Sequence, residues 1–341
     1  MFDHCTWDDD YKEITQKIRR DLLKLAQVEE TEYTTVLMQG SGSFGVESVL
    51  GSVVPKDGCV LLLSNGAYGE RAAKMCSYYE IPCIHVKQDY NKTPDANEAE
   101  ELLKTHPEIT HIMMIHSETT SGILNDIESI GKLAEAYGKV FIVDAMSSFA
   151  GVEIPVKDWY IDFLISSANK CIQGVPGFSF IIANRVLLME SKGRARSLCL
   201  DLYDQWAGME KDGKWRYTSP THVVLAFEQA MKELEQEGGI KARHARYQKN
   251  MDTLVENFEN LGFRLYVDKA WQGPIIATFL YPEGKHFDFQ EMYAYIKERG
   301  YAIYPGKLTD ADTFRIGVIG EIYEEDVLRL TEIMKSYMEQ A

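Results

Sequence analysis

The sequence predicts an α/β protein, with a mostly parallel central sheet between flanking helices and a small C-terminal α+β domain. Two patterns support this fold class. In the first part of the chain, short apolar runs alternate with amphipathic helical segments, the order that βαβ units produce. Toward the C-terminus this rhythm changes, and strands lie closer together between helices. We therefore expect a large domain over residues 1–235 and a small one over residues 236–341.

The first domain divides into periodic helices and continuous apolar strands. Ile14, Ile18, Leu22 and Leu25 share one helical face and predict the first helix. Runs of Val, Ile and Leu that end in polar residues predict buried strands. The predicted elements are helix 11–28, strand 34–38, helix 46–53, strand 59–65, strand 82–86, helix 96–105, strand 111–116, helix 127–137, strand 140–144, a strand from 163 to 167 and an antiparallel strand 178–183.

The C-terminal part begins after two long helices that Gly238 and Gly239 separate, and we place the domain boundary near this pair. Residues 198–206 give no clear prediction. The predicted elements are helices 222–235 and 242–261, strands 263–267 and 275–279, helix 289–299, strands 302–304 and 313–317, and a helix from residue 324.

Composition narrows the classes of partner. The chain has 36 basic and 52 acidic residues, a net charge of −16, which disfavours nucleic acid and anionic membranes. No apolar run reaches membrane-spanning length, and the N-terminus is acidic where a secretory signal is basic. Six cysteines without a C-x-x-C pair indicate reduced thiols. We expect a cytoplasmic protein with small-molecule substrates and no nucleic-acid or membrane partner.

The segment Gln39–Gly45 contains Gly and Ser between a predicted strand and a predicted helix. Such a segment holds a phosphate on the free N–H groups at the helix start. It also contains G-x-G-x-x-G, at Gly40, Gly42 and Gly45, which is found in nucleotide-dependent dehydrogenases. That motif needs an acidic residue at the end of the next strand, and residues 59–65 lack one. The pattern therefore favours a phosphate over a dinucleotide.

Lys170 and Asp144 each follow a predicted central strand, so both belong to the carboxyl edge of the sheet. Pyridoxal phosphate (PLP) needs such a pair, because a lysine amine forms its Schiff base and a carboxylate keeps its pyridine nitrogen protonated. An ordinary loop lysine and strand-end acid are the alternative. Tyr68, predicted on a glycine-flanked turn at the same edge, could stack on a cofactor ring or simply pack. The hydroxyl run 117–121 shares that edge.

Arg315 lies on a short apolar strand, where burial is costly without an anionic partner. Its planar fork suits a carboxylate or phosphonate, and a structural ion pair is the alternative. Other chemistries have little support. The histidines show no H-E-x-x-H or clustered Cys/His spacing, and G-x-S-x-G is absent, so we expect no metal site and no serine triad.

Five segments carry a family resemblance: 116–120 (HSETT), 144–149 (DAMSSF), 166–177 (SSANKCIQGVPG), 215–222 (WRYTSPTH) and 304–307 with 314–317 (YPGK, FRIG). They resemble the 2-aminoethylphosphonate:pyruvate aminotransferases, which are class V, fold-type I PLP enzymes, and the likeness extends from about Thr6 to the last helix. It implies transfer of an amino group from 2-aminoethylphosphonate to pyruvate, giving phosphonoacetaldehyde and L-alanine. It also implies a homodimer with active sites at the interface.

The resemblance assigns each site residue a role. Lys170 is the Schiff-base lysine, Asp144 the partner of the pyridine nitrogen and Tyr68 the stacking residue. Arg315 would grip an anionic substrate group. The remaining implied cofactor contacts are Ser41, Gly42 and Ser43 with the phosphate, Thr119 and Asn169 with other cofactor oxygens, and Thr218 with the neighbouring subunit's phosphate. Arg315, Arg216 and Lys307 are candidates for binding the phosphonate.

Three alternatives stay open. Another class V aminotransferase would use an amino acid with glyoxylate or pyruvate. A desulfurase or lyase fits less well, because those enzymes resemble a pattern with histidine at the positions of Tyr68 and Asn169. A catalytically inactive PLP-fold protein is the third, since the family usually begins with an extended segment carrying a Thr-Pro-Gly-Pro-like turn and this chain starts after it. We expect cofactor binding to survive that difference, and substrate affinity and turnover to be affected.

Overall fold

The structure is a computed structural model, and it describes residues 4–282, 287–306, 308 and 311–340. A central seven-stranded sheet has the order β1-β9-β8-β7-β4-β2-β3. Strands β3, β2, β4, β7 and β8 are parallel to their neighbours in that run, and β9 is antiparallel to both β8 and β1. The predicted mostly parallel α/β sheet is confirmed, as is the antiparallel strand. The strands are β1 (Tyr33–Gln39), β2 (Cys59–Ser64), β3 (Cys83–Lys87), β4 (Ile109–Ile115), the short pair β5 (Ser117–Glu118) and β6 (Ile123–Leu124), β7 (Val140–Asp144), β8 (Phe163–Ser167) and β9 (Phe178–Asn184).

Helices cover both faces of this sheet, which is why its strands are apolar along their whole length. Every residue of β2 and β8 is buried. Helix α2 packs against β8 and β9 on one face, and α1 packs against β1. The helices are α1 (Asp9–Leu25), α2 (Gly42–Val53), α3 (Ala67–Tyr78), α4 (Ala96–Thr105), α5 (Ile127–Ala136), α6 (Arg185–Glu190), α7 (Leu202–Asp212) and α8 (Thr221–Glu237).

The C-terminal part adds a second sheet of order β10-β11-β13-β12, antiparallel throughout, which packs on a separate aromatic core. Phe258, Phe279 and Phe314 are all buried there, with ring centroids 5.0–6.5 Å apart. The elements are α9 (Gly239–Asn260), β10 (Arg264–Leu265), β11 (Ile276–Leu280), α10 (Phe289–Glu298), β12 (Tyr304–Pro305), β13 (Thr313–Gly317) and α11 (Glu324–Met338). The predicted division between residues 235 and 236 would fall in the last turn of α8, and it stays a prediction.

Three local predictions differ from the structure. The sequence predicts a helix from residue 46, whereas α2 already begins at Gly42. Ser41 is extended and precedes the first turn, and a Cβ at Gly42 or Gly45 would clash with neighbouring side chains. Tyr68 lies in the first turn of α3 and not on a turn, since α3 starts directly at Ala67.

The sequence analysis gives no helix at α3, α6 or α7. Helix α6 has only six residues, whereas in α7 the buried Leu202, Trp206 and Met209 do have helical spacing, which the prediction did not use. In the part of the chain that is described, no helix has the length and apolar character needed to span a bilayer.

Candidate active site

The carboxyl ends of β1, β4, β7 and β8 surround a cavity of about 290 Å³. The chain directions place these ends at one edge of the sheet, where ligands bind in such folds. Of the ten predicted site residues, eight line this cavity. They are Ser41, Gly42, Ser43, Tyr68, Thr119, Asp144, Asn169 and Lys170.

Asp144 ends β7 and is nearly enclosed, with 7% of its surface exposed. Its Oδ1 accepts a hydrogen bond from the Met146 backbone N–H at 2.9 Å. Burial raises the pKa of the carboxyl group to about 6, and the negative charge of Glu118 adds to this effect. Arg71 and Lys170 oppose it as the nearby positive charges. A cationic group inside the cavity would therefore stabilise the carboxylate form.

Lys170 follows β8 in a turn that backbone hydrogen bonds hold in place. The Gln173 N–H donates to the Lys170 carbonyl at 2.9 Å, and the Gly174 N–H donates to the Ala168 carbonyl at 2.9 Å. The side chain is half-buried, and within the described residues no carboxylate forms an ion pair with its amine. Lys170 therefore lines the cavity with an amine that is not held in an ion pair with a described carboxylate.

The start of α2 forms the second wall. Ser41 precedes the helix with φ −71° and ψ 169°, and among described atoms its hydroxyl makes no capping hydrogen bond. A Cβ on Gly42 would clash with the thioether end of Met146, so a side chain at this position would displace that flexible residue in the cavity wall. The first-turn N–H groups lack partners within their helix, and together with two serine hydroxyls they make a cradle for an anion.

Tyr68 and Arg71 are three residues apart in α3 and share one face of the helix. The Arg71 guanidinium lies 5.1 Å from the centroid of the Tyr68 ring, and its Nη1 donates to Ser43 Oγ at 2.9 Å. Arg71 also lines the cavity, which sequence reasoning missed. The three-residue spacing of Tyr68 and Arg71 would have indicated that both face the cavity, but only in a helix, and the sequence analysis predicts a turn at Tyr68.

Arg315 lies on β13 with 5% of its surface exposed, and it does not itself line the cavity but contacts Thr119, which does. Its Nη1 donates to the Thr119 carbonyl at 2.8 Å and its Nε to the Pro305 carbonyl at 3.1 Å. Burial lowers its pKa, and Tyr68, Tyr304 and Glu118 oppose the shift. Among the described residues it has no ion-pair partner, so the structure gives no support there to the alternative of a structural ion pair. Backbone carbonyls fix the guanidinium without neutralising it.

Two further predicted residues lie elsewhere. Thr218 is exposed in the segment before α8 and does not line the cavity. Arg216 forms an ion pair with Asp204 at 3.1 Å and donates to the Leu198 carbonyl at 2.7 Å. The third phosphonate candidate, Lys307, lies outside the described residues.

Comparisons with known proteins identify the family. The profile of the family described as aminotransferase class-V matches residues 5–329. A 2-aminoethylphosphonate–pyruvate transaminase of Lysinibacillus sphaericus is 54% identical over 336 residues, which cover 98% of this chain and 92% of that protein.

Solved structures show the same fold. An alanine–glyoxylate aminotransferase from Nostoc has a TM-score of 0.90 at 22% identity, covering 98% of this chain and 89% of that one. A pyridoxamine–pyruvate aminotransferase from Mesorhizobium loti has a TM-score of 0.89 at 22% identity, covering 99% of this chain and 87% of that one. The family match spans nearly the whole sequence and includes every residue lining the cavity; the chain belongs to the class-V aminotransferases.

Proposed function

We propose that this aminotransferase moves the amino group of 2-aminoethylphosphonate to pyruvate with PLP as its cofactor, giving phosphonoacetaldehyde and L-alanine. The observation that carries the proposal is the meeting of Lys170 and Asp144 in one cavity with an anion cradle at the start of α2. The name of the Lysinibacillus relative, at 54% identity over most of both chains, supports the choice of substrates.

The residues present fit PLP, on which class-V aminotransferases depend in general. The α2 cradle suits a phosphate and Tyr68 offers a flat face. The enclosed Asp144, whose pKa burial raises to about 6, gains its charge most readily beside a cation such as a protonated pyridine nitrogen. Thr119 and Asn169 would hold the cofactor's other oxygens. When bound, PLP supplies an electron sink next to the carbon that carries the amino group.

The chain's own residues then bind, orient and move protons. Lys170 Nζ would link to the cofactor aldehyde in the resting enzyme and, once freed, carry a proton away from and back to the reacting carbons. Asp144 would hold the pyridine nitrogen in its protonated form throughout. Arg315, fixed by the carbonyls of Thr119 and Pro305, would orient the anionic end of each substrate.

A half-reaction experiment tests this function. With 2-aminoethylphosphonate alone, the PLP-loaded enzyme should release one phosphonoacetaldehyde per site and then stop. Pyruvate added afterwards should release one L-alanine per site and restore the visible spectrum. Alanine with glyoxylate is the matched comparison for a different class-V activity. Faster turnover of that pair, with no aldehyde from the phosphonate, would refute the proposed substrates.

Arg315→Ala should impair the use of anionic substrates more than the chemistry. We expect the KM for pyruvate to rise on the order of 100-fold, because a buried charged contact is lost. Arg315→Lys should restore only part of the wild-type KM for pyruvate, because an ammonium point charge replaces the planar guanidinium. Arg299→Ala is the control: this exposed arginine just after α10 forms a surface ion pair with Glu298 at 3.9 Å, so its loss should leave the KM within about threefold of wild type. Normal kinetics in Arg315→Ala would assign this arginine a structural role.

We also propose a homodimer in which Thr218 contacts the neighbouring copy's PLP phosphate. Thr218 is exposed and does not line its own cavity, as expected for a residue that serves another site. Sedimentation equilibrium of the loaded enzyme should give twice the chain mass of 38.9 kDa. A single-chain mass at working concentrations would exclude this proposal.

A cytoplasmic location is the last part of the proposal. All six cysteines are free thiols, the state that a reducing compartment maintains. Cell fractionation that recovered the protein outside the cytoplasm would contradict it.

A further inference from the structure

We propose that Arg71 is the cation that binds the cofactor's phosphate, and that it accounts for much of the enzyme's preference for PLP over unphosphorylated pyridoxal. The inference rests on the proposed function, since it concerns the same cavity. It adds a residue that neither the sequence motifs nor the family resemblance assigned to the site.

The position of Arg71 relative to the α2 cradle is the first argument. Its Nη1 donates to Ser43 Oγ at 2.9 Å, and Ser43 stands in the first turn of α2 beside Ser41 and Gly42. The guanidinium is also held against the Tyr68 ring, 5.1 Å from its centroid. The Arg71 side chain is exposed, and these two contacts hold its guanidinium beside the first turn of α2, with donors left over for an incoming oxyanion.

Charge is the second argument. The chain carries a net charge of −16, so a phosphoryl dianion needs local compensation. The residues lining the cavity include two cations, Lys170 and Arg71. Lys170 is occupied with the aldehyde in the proposed enzyme. Among the described residues Arg71 has no carboxylate partner, which leaves its charge available. The positive charge of Arg71 also acts on Asp144, where it opposes the rise in the pKa of the carboxyl group.

The donor's phosphonate has the same chemistry as the cofactor's phosphate, so it is the competing ligand. The contacts favour the cofactor. Arg71 is hydrogen-bonded to Ser43 in the first turn of α2, whereas Arg315 is hydrogen-bonded to the backbone carbonyls of Thr119 and Pro305, outside that helix. Two arginines held by different parts of the chain can bind two anionic groups, one on the cofactor and one on the substrate.

The test compares PLP with pyridoxal, which lacks only the phosphate. Full-length protein freed of cofactor is titrated with each compound, and dissociation constants are read from the visible absorbance. In Arg71→Gln, PLP binding should weaken on the order of 10- to 100-fold, as expected for loss of a charge-assisted hydrogen bond, while pyridoxal changes little. Arg71→Lys should recover part of the PLP affinity. Lys74→Gln removes the same charge from an exposed position one turn further along α3 and should leave both constants near wild type.

Each outcome decides between the alternatives. A fall in the PLP-to-pyridoxal preference confined to the Arg71 variants supports the proposal. If both compounds weaken together, Arg71 only supports Tyr68, and the proposal fails. If the preference is unchanged while the KM for 2-aminoethylphosphonate rises, Arg71 serves the phosphonate, and the proposal also fails. A wild-type protein that binds neither compound would instead overturn the proposed function.

Discussion

Lys170→Ala should abolish transamination, with turnover at least about 10⁴-fold below wild type, and should remove the visible absorbance of lysine-linked PLP. Both effects have one cause, because the same amine would make the covalent link and carry the proton. The fold should persist. The turn around residue 170 is held by the backbone bonds of Gln173 and Gly174, which alanine does not disturb. Absorbance, turnover and circular dichroism of the variant check this expectation.

Two controls separate this role from a general loss of charge. Lys87→Ala removes an exposed lysine whose ion-pair partner is Glu70, and it should behave as wild type. Borohydride reduction of the wild-type enzyme should attach the cofactor to the peptide that contains Lys170, and the alanine variant should yield no labelled peptide. A small primary amine in the buffer should restore part of the variant's activity. Labelling at another lysine would refute the assignment.

Sequence reasoning could predict the edge at which the site lies, because strand direction alone determines it. The apolar runs that end at Asp144 and at Ser167 are both predicted as central strands of a mostly parallel sheet, and β7 and β8 do pair in parallel. A residue just past each end must then lie at the same edge. The start of α2 belongs there for the same reason, since β1 runs in the direction of β8.

Contacts between distant parts of the chain could not be predicted in this way. Arg315 donates to the carbonyl of Thr119, 196 positions earlier, and no local pattern encodes that approach. Arg71 was overlooked for a local reason. The glycines at 66 and 69 suggested a turn, although Gly66 lies just before α3 and Gly69 is buried within it, where its absent side chain permits packing against Ser64. Propensity alone gave the wrong conformation because tertiary packing decided it.

Asp144→Asn should stabilise the cofactor-free protein and slow transamination. In the cofactor-free protein, burial raises the pKa of Asp144 from 3.8 to about 6, so the folded state retains a proton that the unfolded chain has lost. The free energy of unfolding therefore falls as pH rises through this window, by roughly 3 kcal/mol in total at 1.36 kcal/mol per pKa unit. Asparagine carries no charge to bury. The variant without cofactor should be more stable than wild type at pH 7–8 by up to roughly 3 kcal/mol, with the advantage vanishing near pH 4.

The same substitution should slow transamination by about 10²- to 10⁴-fold, because a neutral amide leaves the protonated pyridine nitrogen without its charged partner. Asp162→Asn is the matched control. Burial also raises the pKa of Asp162 to about 6, but this residue precedes β8 at the opposite edge of the sheet and accepts hydrogen bonds from Phe141 and Asn184. Its variant should keep wild-type turnover. Denaturant unfolding of the cofactor-free proteins between pH 4 and 8, together with turnover of the loaded enzymes, measures both effects. An Asp144→Asn protein that kept its activity, or that lost stability at pH 8, would show that this buried carboxylate serves the fold instead of the cofactor.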